Sequence, residues 1–173
     1  MGVRPSNSSV YTVRAAERGD LPAIADIYND AVLNSTATFD TEPSAPAESE
    51  QWRRNRSHPY AVLVADGDGE VVGWAAIKRF ASKPAYRFTA EKTVYVRVDM
   101  RGKGVGKALL GCLLETAAEN GFRTVIARIA APNPASVRLH RRFGFRRVGV
   151  EREVGRKFGR WLDVVVMQKA LAE

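Results

Sequence analysis

Cysteine is almost absent: Cys112 is the only one in 173 residues, so no intrachain disulfide can form. The chain is therefore expected in a reducing compartment, the cytoplasm. Cys112 falls at helical spacing with Leu109 and Leu113, the context of a packed thiol rather than a nucleophile. Histidine is nearly as scarce. His58 and His140 stand far apart in no ligand spacing, so no metal site is expected. No apolar run approaches the roughly 20 residues of a membrane span, and runs such as Val164–Met167 are strand-sized, so no membrane partner is expected. Met1 to Ser9 carry Arg4 and Pro5 but no apolar centre, which reads as a flexible leader rather than a secretory signal. Residues 10–173 are then expected to form a single domain.

Acidic residues are outnumbered. Lys plus Arg total 27 against 19 Asp plus Glu, a net charge of +8, which favours anionic partners. The basic clusters, Arg53, Arg54 and Arg56, then Arg138, Arg141, Arg142, Arg146 and Arg147, have no aromatics interleaved as a base-stacking surface requires. No nucleic-acid partner is expected. A polyanionic small molecule accounts for part of the charge.

The hydrophobic pattern places strands first and then alternates them with helices. Val10 to Arg14 alternates as a strand, and Asp20 is expected to N-cap a helix with Pro22 in its first turn and Ile24, Ile27, Tyr28 and Ala31 on one face. A loop from Asn34 to Pro46 and a helix over Glu48 to Arg56 follow. Tyr60–Ala65 and Glu70–Lys78 flank the turn signal Asp66-Gly67-Asp68-Gly69, a hairpin. After an irregular stretch over residues 81–88, Thr89–Val98 is a strand and residues 104–120 a helix with Val105, Ala108, Leu109, Cys112, Leu113 and Ala117 as its stripe. A strand over Thr124–Ile129, a helix over Pro134–Phe143, and strands over Phe145–Glu151 and Trp161–Lys169 complete the chain. The fold class is α/β, with a central twisted mixed sheet of about six to seven strands flanked by helices.

Between a valine-rich strand and an amphipathic helix lies Arg101-Gly102-Lys103-Gly104-Val105-Gly106-Lys107. A glycine-rich strand-to-helix turn presents unpaired backbone N–H groups and the positive end of a helix dipole, the makings of a phosphate site. Its spacing fits neither G-x-x-x-x-G-K-[ST] nor G-x-G-x-x-G. The form Arg-x-x-Gly-x-Gly resembles the pyrophosphate loop of GNAT acetyltransferases, which clasps the diphosphate of CoA.

The segment from Asn133 to Phe145 resembles the second GNAT signature: an Asn, a short helix and a closing Gly-Phe. The resemblance narrows at Thr89–Val96, at Asn34–Phe39 with Thr41-Glu42-Pro43, and at Lys157–Asp163. These look like the acetyltransferases of phosphinothricin, methionine sulfone and methionine sulfoximine, from about Val13 to Leu171. Carried over by position, it implies acetyl-CoA as cosubstrate, held by Val94, Tyr95, Val96, Arg101, Gly102, Lys103, Gly104, Val105, Gly106, Lys107 and Asn133. It implies substrate contacts at Ala81, Ser82, Lys83, Glu91, Lys92 and Thr93. The resembling enzymes carry a basic or aromatic residue where this chain has Ala81. In many GNAT enzymes a Tyr seven residues after the Asn faces the thioester sulfur; here His140 stands there, as in the subfamily.

The expected enzyme is an N-acetyltransferase for the amino group of a small amino-acid-like molecule. Glu91 is the expected base that takes a proton from the amine, directly or through a water. A backbone N–H of the Val94–Val96 stretch would face the developing oxyanion. His140 would hydrogen-bond or protonate the departing thiolate. The alternatives are an acetyltransferase of protein N-termini or lysines, and a non-catalytic CoA-binding module. Phe158 and Trp161, two large aromatics around Gly159, suggest an interface, and the resemblance implies a homodimer through this region.

Overall fold

A computed structural model describes residues 11–44 and 58–171. The expected leader and the helix over 48–56 lie outside the described residues. Seven strands form one sheet in the order β1-β2-β3-β4-β5-β7-β6. They are β1 (Thr12–Ala15), β2 (Ala61–Gly67), β3 (Glu70–Arg79), β4 (Thr89–Val96), β5 (Thr124–Ala130), β6 (Arg146–Lys157) and β7 (Arg160–Ala170). All neighbours are antiparallel except β4 and β5. The helices are α1 (Leu21–Asn34), α2 (Val105–Glu119) and α3 (Pro134–Arg142).

Both faces of the sheet centre are covered, so its strands read as continuous apolar runs rather than alternations. In β3, Val72, Ala75 and Ile77 join the cluster packed with Val105, Leu109, Leu110 and Leu113 of α2. Val71, Trp74 and Ala76 point the other way, toward Ile24 and Ile27 of α1. The stripe of α2 is wider than expected: Leu110 and Leu114 are buried, while Cys112 is only half-buried. Burial still holds its thiol in the protonated form, which keeps it inert.

Three local expectations are corrected. Asp20 sits at the start of α1, but its carboxylate turns to the Arg14 guanidinium at 2.7 and 2.9 Å instead of capping the helix. β4 stops at Val96, and Val98 lies exposed in a single 3-10 turn. β6 runs six residues past its expected end, to Lys157. Its far half is polar and carries register shifts, so no apolar alternation marks it; pairing with β7 across Phe158-Gly159 makes it a strand.

Candidate active site

The site begins where β4 and β5 part. Their parallel pairing covers only Thr89↔Thr124, Ala90↔Val125 and Glu91↔Ile126. Beyond Glu91 the strands diverge. β5 stays paired with β7 to Ala130, β4 stays paired with β3 to Val96, and between them Lys92 to Val96 keep an edge without a strand partner. Such an edge offers backbone N–H and C=O groups to an extended ligand.

At the end of that edge lies the glycine-rich turn. Gly102 and Gly104 have φ of +75° and +87°, the left-handed region that favours glycine. A Cβ on Gly104 would come within 3.0 Å of the Tyr11 hydroxyl, which itself donates to the Lys103 carbonyl at 3.3 Å. α2 starts directly after Gly104, so its first N–H groups and dipole point into the turn. Arg101 donates to the Val96 carbonyl at 3.2 Å and ties the turn to the strand end. Gly106 leaves room beside Val96 and Leu139, each 3.6 Å from where its Cβ would be. Asn133 caps α3 by accepting from the Ser136 N–H at 3.0 Å. The turn and the free edge together fit a diphosphate with a long extended arm.

On the α1 face, the parting of β4 and β5 opens into a cavity of about 680 Å³. Its wall carries three cations, Lys78, Lys92 and Arg128, and three carboxylates, Asp40, Glu91 and Glu151. Strand alternation points Glu91, Thr93 and Tyr95 to this face. Glu91 pairs with Lys78 across the β3–β4 register at 2.9 Å, and Arg128 pairs with Glu151 on the opposite wall. Tyr28, Trp74 and Tyr95 cluster as the apolar floor, with centroids 5.0 to 6.0 Å apart and Tyr28 edge-on to Tyr95.

Residues 37–40 lie across the cavity mouth. Tyr28 bonds Thr38 at 2.9 Å and also donates to Asp40. Tyr95 donates to the Ala37 carbonyl at 3.4 Å, and the buried Lys157 donates to the Thr38 carbonyl at 2.9 Å. The Phe39 ring fills the space above Gly155 so closely that a Cβ there would overlap it.

Two titratable groups at the parting point are buried. Lys92 is 8% exposed on the cavity wall, and desolvation lowers its pKa to about 7. His140 is 1% exposed, and desolvation, then the Lys92 charge, lower its pKa to about 3. A carbonyl can only accept, so the 2.7 Å contact from Nδ1 to the Ser136 carbonyl places the ring proton on Nδ1. The lone pair is then on Nε2, which is buried without a partner. His140 is thus an acceptor at neutral pH.

The structure brings Glu91, Lys92, Thr93 and Tyr95 to one cavity and the 101–107 turn to one end of the β4 edge. It does not bring Ala81, Ser82 and Lys83 there. They lie outside the cavity wall, where the Ala81 and Ser82 carbonyls accept from Arg79. Sequence reasoning missed Lys78, Arg128 and Glu151. The signal for Arg128 was a lone charge in the apolar strand TVIARIA.

A mixed sheet parted beside a phosphate turn, with a carboxylate at the parting point, defines a nucleotide-cosubstrate group transferase. The acetyltransferase (GNAT) domain family matches residues 13–166. A methionine sulfoximine/methionine sulfone acetyltransferase of Pseudomonas aeruginosa is 45% identical over 91% of this chain and 92% of its own. A phosphinothricin N-acetyltransferase of Streptomyces coelicolor is 42% identical over 92% and 95%. The structure of a phosphinothricin acetyltransferase of Sinorhizobium meliloti with acetyl-CoA superposes with a TM-score of 0.91 at 39% identity, covering 95% of this chain and 90% of that one. The chain belongs to the GNAT acetyltransferase family, and it is an N-acetyltransferase.

Proposed function

We propose that this enzyme transfers the acetyl group of acetyl-CoA to the amino group of a small amino-acid-like acceptor, of the phosphinothricin, methionine sulfone or methionine sulfoximine type. The observation that carries this reading is the parting of β4 from β5 at Glu91, with the phosphate turn at one end and the charged cavity at the other. The diphosphate sits against Arg101, Gly102, Lys103, Gly104, Val105, Gly106 and Lys107. The arm runs along Val94, Tyr95 and Val96, with Asn133 across from it.

The acceptor lies in the cavity against Glu91, Lys92 and Thr93. An ammonium has no lone pair, so the reaction needs a base, and Glu91 takes the proton at the cavity side of the parting point. The carboxylate and the far polar group of such an acceptor find Lys78 and Arg128, both already paired with carboxylates that a ligand can share or displace. A backbone N–H of the β4 edge faces the carbonyl oxygen as it gains charge. A cavity of about 680 Å³ walled on one side by residues 37–40 suits a free amino acid better than a peptide.

The enzyme works as a cytoplasmic homodimer in this proposal. Phe158 and Trp161 are 57% and 59% exposed at the β6–β7 turn, and Val154 on the same hairpin is 53% exposed while lining the cavity. A partner chain over this hairpin would bury all three and complete the cavity wall.

Thiol release from acetyl-CoA, measured with methionine sulfone, phosphinothricin, free amino acids and a peptide N-terminus, tests the reading. Small acceptors are expected to release thiol and the peptide not. Glu91→Gln is expected to lower kcat about 10²- to 10³-fold with unchanged acetyl-CoA affinity. Preference for the peptide, or a Glu91→Gln enzyme at wild-type rate, overturns it.

A further inference from the structure

Lys92 and His140 are buried polar groups to which the proton abstraction by Glu91 assigns no proton transfer. Lys92 has no hydrogen bond or ion pair among the described residues, although it is 8% exposed. A lysine kept there without a hydrogen bond or ion pair costs stability, and a hydrophobic residue of similar length would be cheaper. Its position is specific. Lys92 is the first residue of β4 past the last pair with β5, and alternation turns it away from Glu91. On α3, His140 is buried with no hydrogen bond to its Nε2 among the described residues, and the Lys92 charge is one cause of its lowered pKa.

The geometry also fixes where the leaving group ends up, on the reading proposed above. From Val96, beside the phosphate turn, back to Lys92 is four strand residues, about 13 Å. An arm anchored at the turn and lying on that edge brings its sulfur to the parting point. We propose that Lys92 is the acid that protonates the departing CoA sulfur, and that His140, buried beside the parting point with a free acceptor nitrogen, is a positioning residue for it.

The balance is closed. The acceptor ammonium gives one proton to Glu91, and its nitrogen bonds to the acetyl carbon. The carbon–sulfur bond breaks with the electron pair going to sulfur, and a Lys92 N–H proton moves to that sulfur. The nitrogen's second proton also leaves through Glu91 and restores the Lys92 ammonium, so one proton reaches solvent per turnover.

Besides burial, the charges that act on Lys92 are Glu91 on its own strand and Lys78 on β3; the buried imidazole of His140 on α3 is neutral. Arg128 of β5, Glu151 of β6 and Asp40 share its cavity. Glu91 favours the ammonium, while burial and Lys78 oppose it, which leaves it near pH 7 as a competent donor.

The test uses Lys92→Met and Lys92→Arg in the full-length enzyme. Arginine keeps the charge but gives up no proton at neutral pH. Both variants are expected to lose about 10²-fold in kcat with unchanged CoA affinity by calorimetry. Wild-type kcat is expected to fall as pH rises above about 7, and Lys92→Met to lack that limb. His140→Leu is expected to shift the limb while retaining more of the rate than Lys92→Met. In the ligand-free enzyme, the lysine carbon and nitrogen shifts of Lys92 followed by NMR are expected to titrate near pH 7. This last readout stands even if no amine in the panel is acetylated, so it separates failure of the acceptor assignment from failure of Lys92. Wild-type rates and pH profile in Lys92→Arg, or a Lys92 that stays charged to pH 10, overturn the proposal.

Discussion

At the scale of single residues, the phosphate turn shows most directly how backbone geometry selects an amino acid. Gly104 is held at φ +87°, and the nearest atom to an added Cβ is the Tyr11 hydroxyl at 3.0 Å. A side chain there is strained by about 1–2 kcal/mol from its dihedral alone, and it also enters the ground the diphosphate needs. Gly104→Glu adds a negative charge at the positive end of the α2 dipole. Calorimetry is expected to find CoA affinity reduced at least tenfold, with the fold intact by circular dichroism. Unchanged affinity would move the phosphate site elsewhere.

Asn133 and His140 show a different economy at the same scale. Each has one polar atom committed to the backbone of α3: Oδ1 of Asn133 takes the Ser136 N–H, and Nδ1 of His140 gives to the Ser136 carbonyl. Those internal bonds set the side-chain orientation before any ligand arrives. For His140 they also place the ring proton on Nδ1, which leaves the buried Nε2 as an acceptor.

At the scale of elements, the cavity is closed by two pieces that meet far from each other in sequence. Residues 37–40 follow α1, and the β6–β7 hairpin lies more than a hundred residues later; Lys157 to the Thr38 carbonyl spans a separation of 119. The Phe39 ring over Gly155 is the apolar half of that latch and Lys157 the polar half. Any Cβ at position 155 must displace the ring. Gly155→Ala is expected to raise the acceptor KM about tenfold and leave the KM for acetyl-CoA unchanged, because the CoA edge lies beyond β5. Equal effects on both constants, read from initial rates at varied concentrations of each substrate, would assign the latch to the general fold instead.

β4 carries the largest share of the chemistry. Its first three residues pair with β5, its next five do not, and its two faces serve two jobs. Glu91 and Thr93 turn to the cavity, whereas alternation turns Lys92, Val94 and Val96 toward the α2 and α3 side. Much of this strand was legible in the sequence, since its valine alternation and the following glycine turn are local patterns. Its parting from β5 was not, because strand divergence depends on what β5 pairs with instead. The same reason hid Lys78, Arg128 and Glu151: their place in one cavity is set by sheet order, which brings β3, β4, β5 and β6 around one opening.

At the scale of the whole molecule, the β6–β7 hairpin leaves Phe158 and Trp161 more than half exposed, each with a cationic neighbour, Lys157 at 5.2 Å and Arg156 at 5.7 Å from the ring centres. Light scattering during size exclusion is expected to give a mass near 38 kDa, twice the 19.1 kDa of one chain. Trp161→Ala is expected to shift it toward the monomer. A wild-type monomer at micromolar concentration removes the dimer, and a dimer unaffected by Trp161→Ala moves its contact to another face.

The sequence by itself determined the order and type of the main elements, the glycine-rich turn before α2 and the carboxylate early in β4. Those depend on local periodicity, glycine dihedrals and residue chemistry, which neighbours in the chain already specify. Only the tertiary structure decided that Ala81–Lys83 stand outside the cavity, that Arg128 and Glu151 stand inside it, and that His140 accepts rather than donates. It also decided that Lys92 is buried without a hydrogen bond or ion pair among the described residues. Burial, pairing and the resulting proton affinities are properties of groups brought together from distant positions, and no window along the chain contains them.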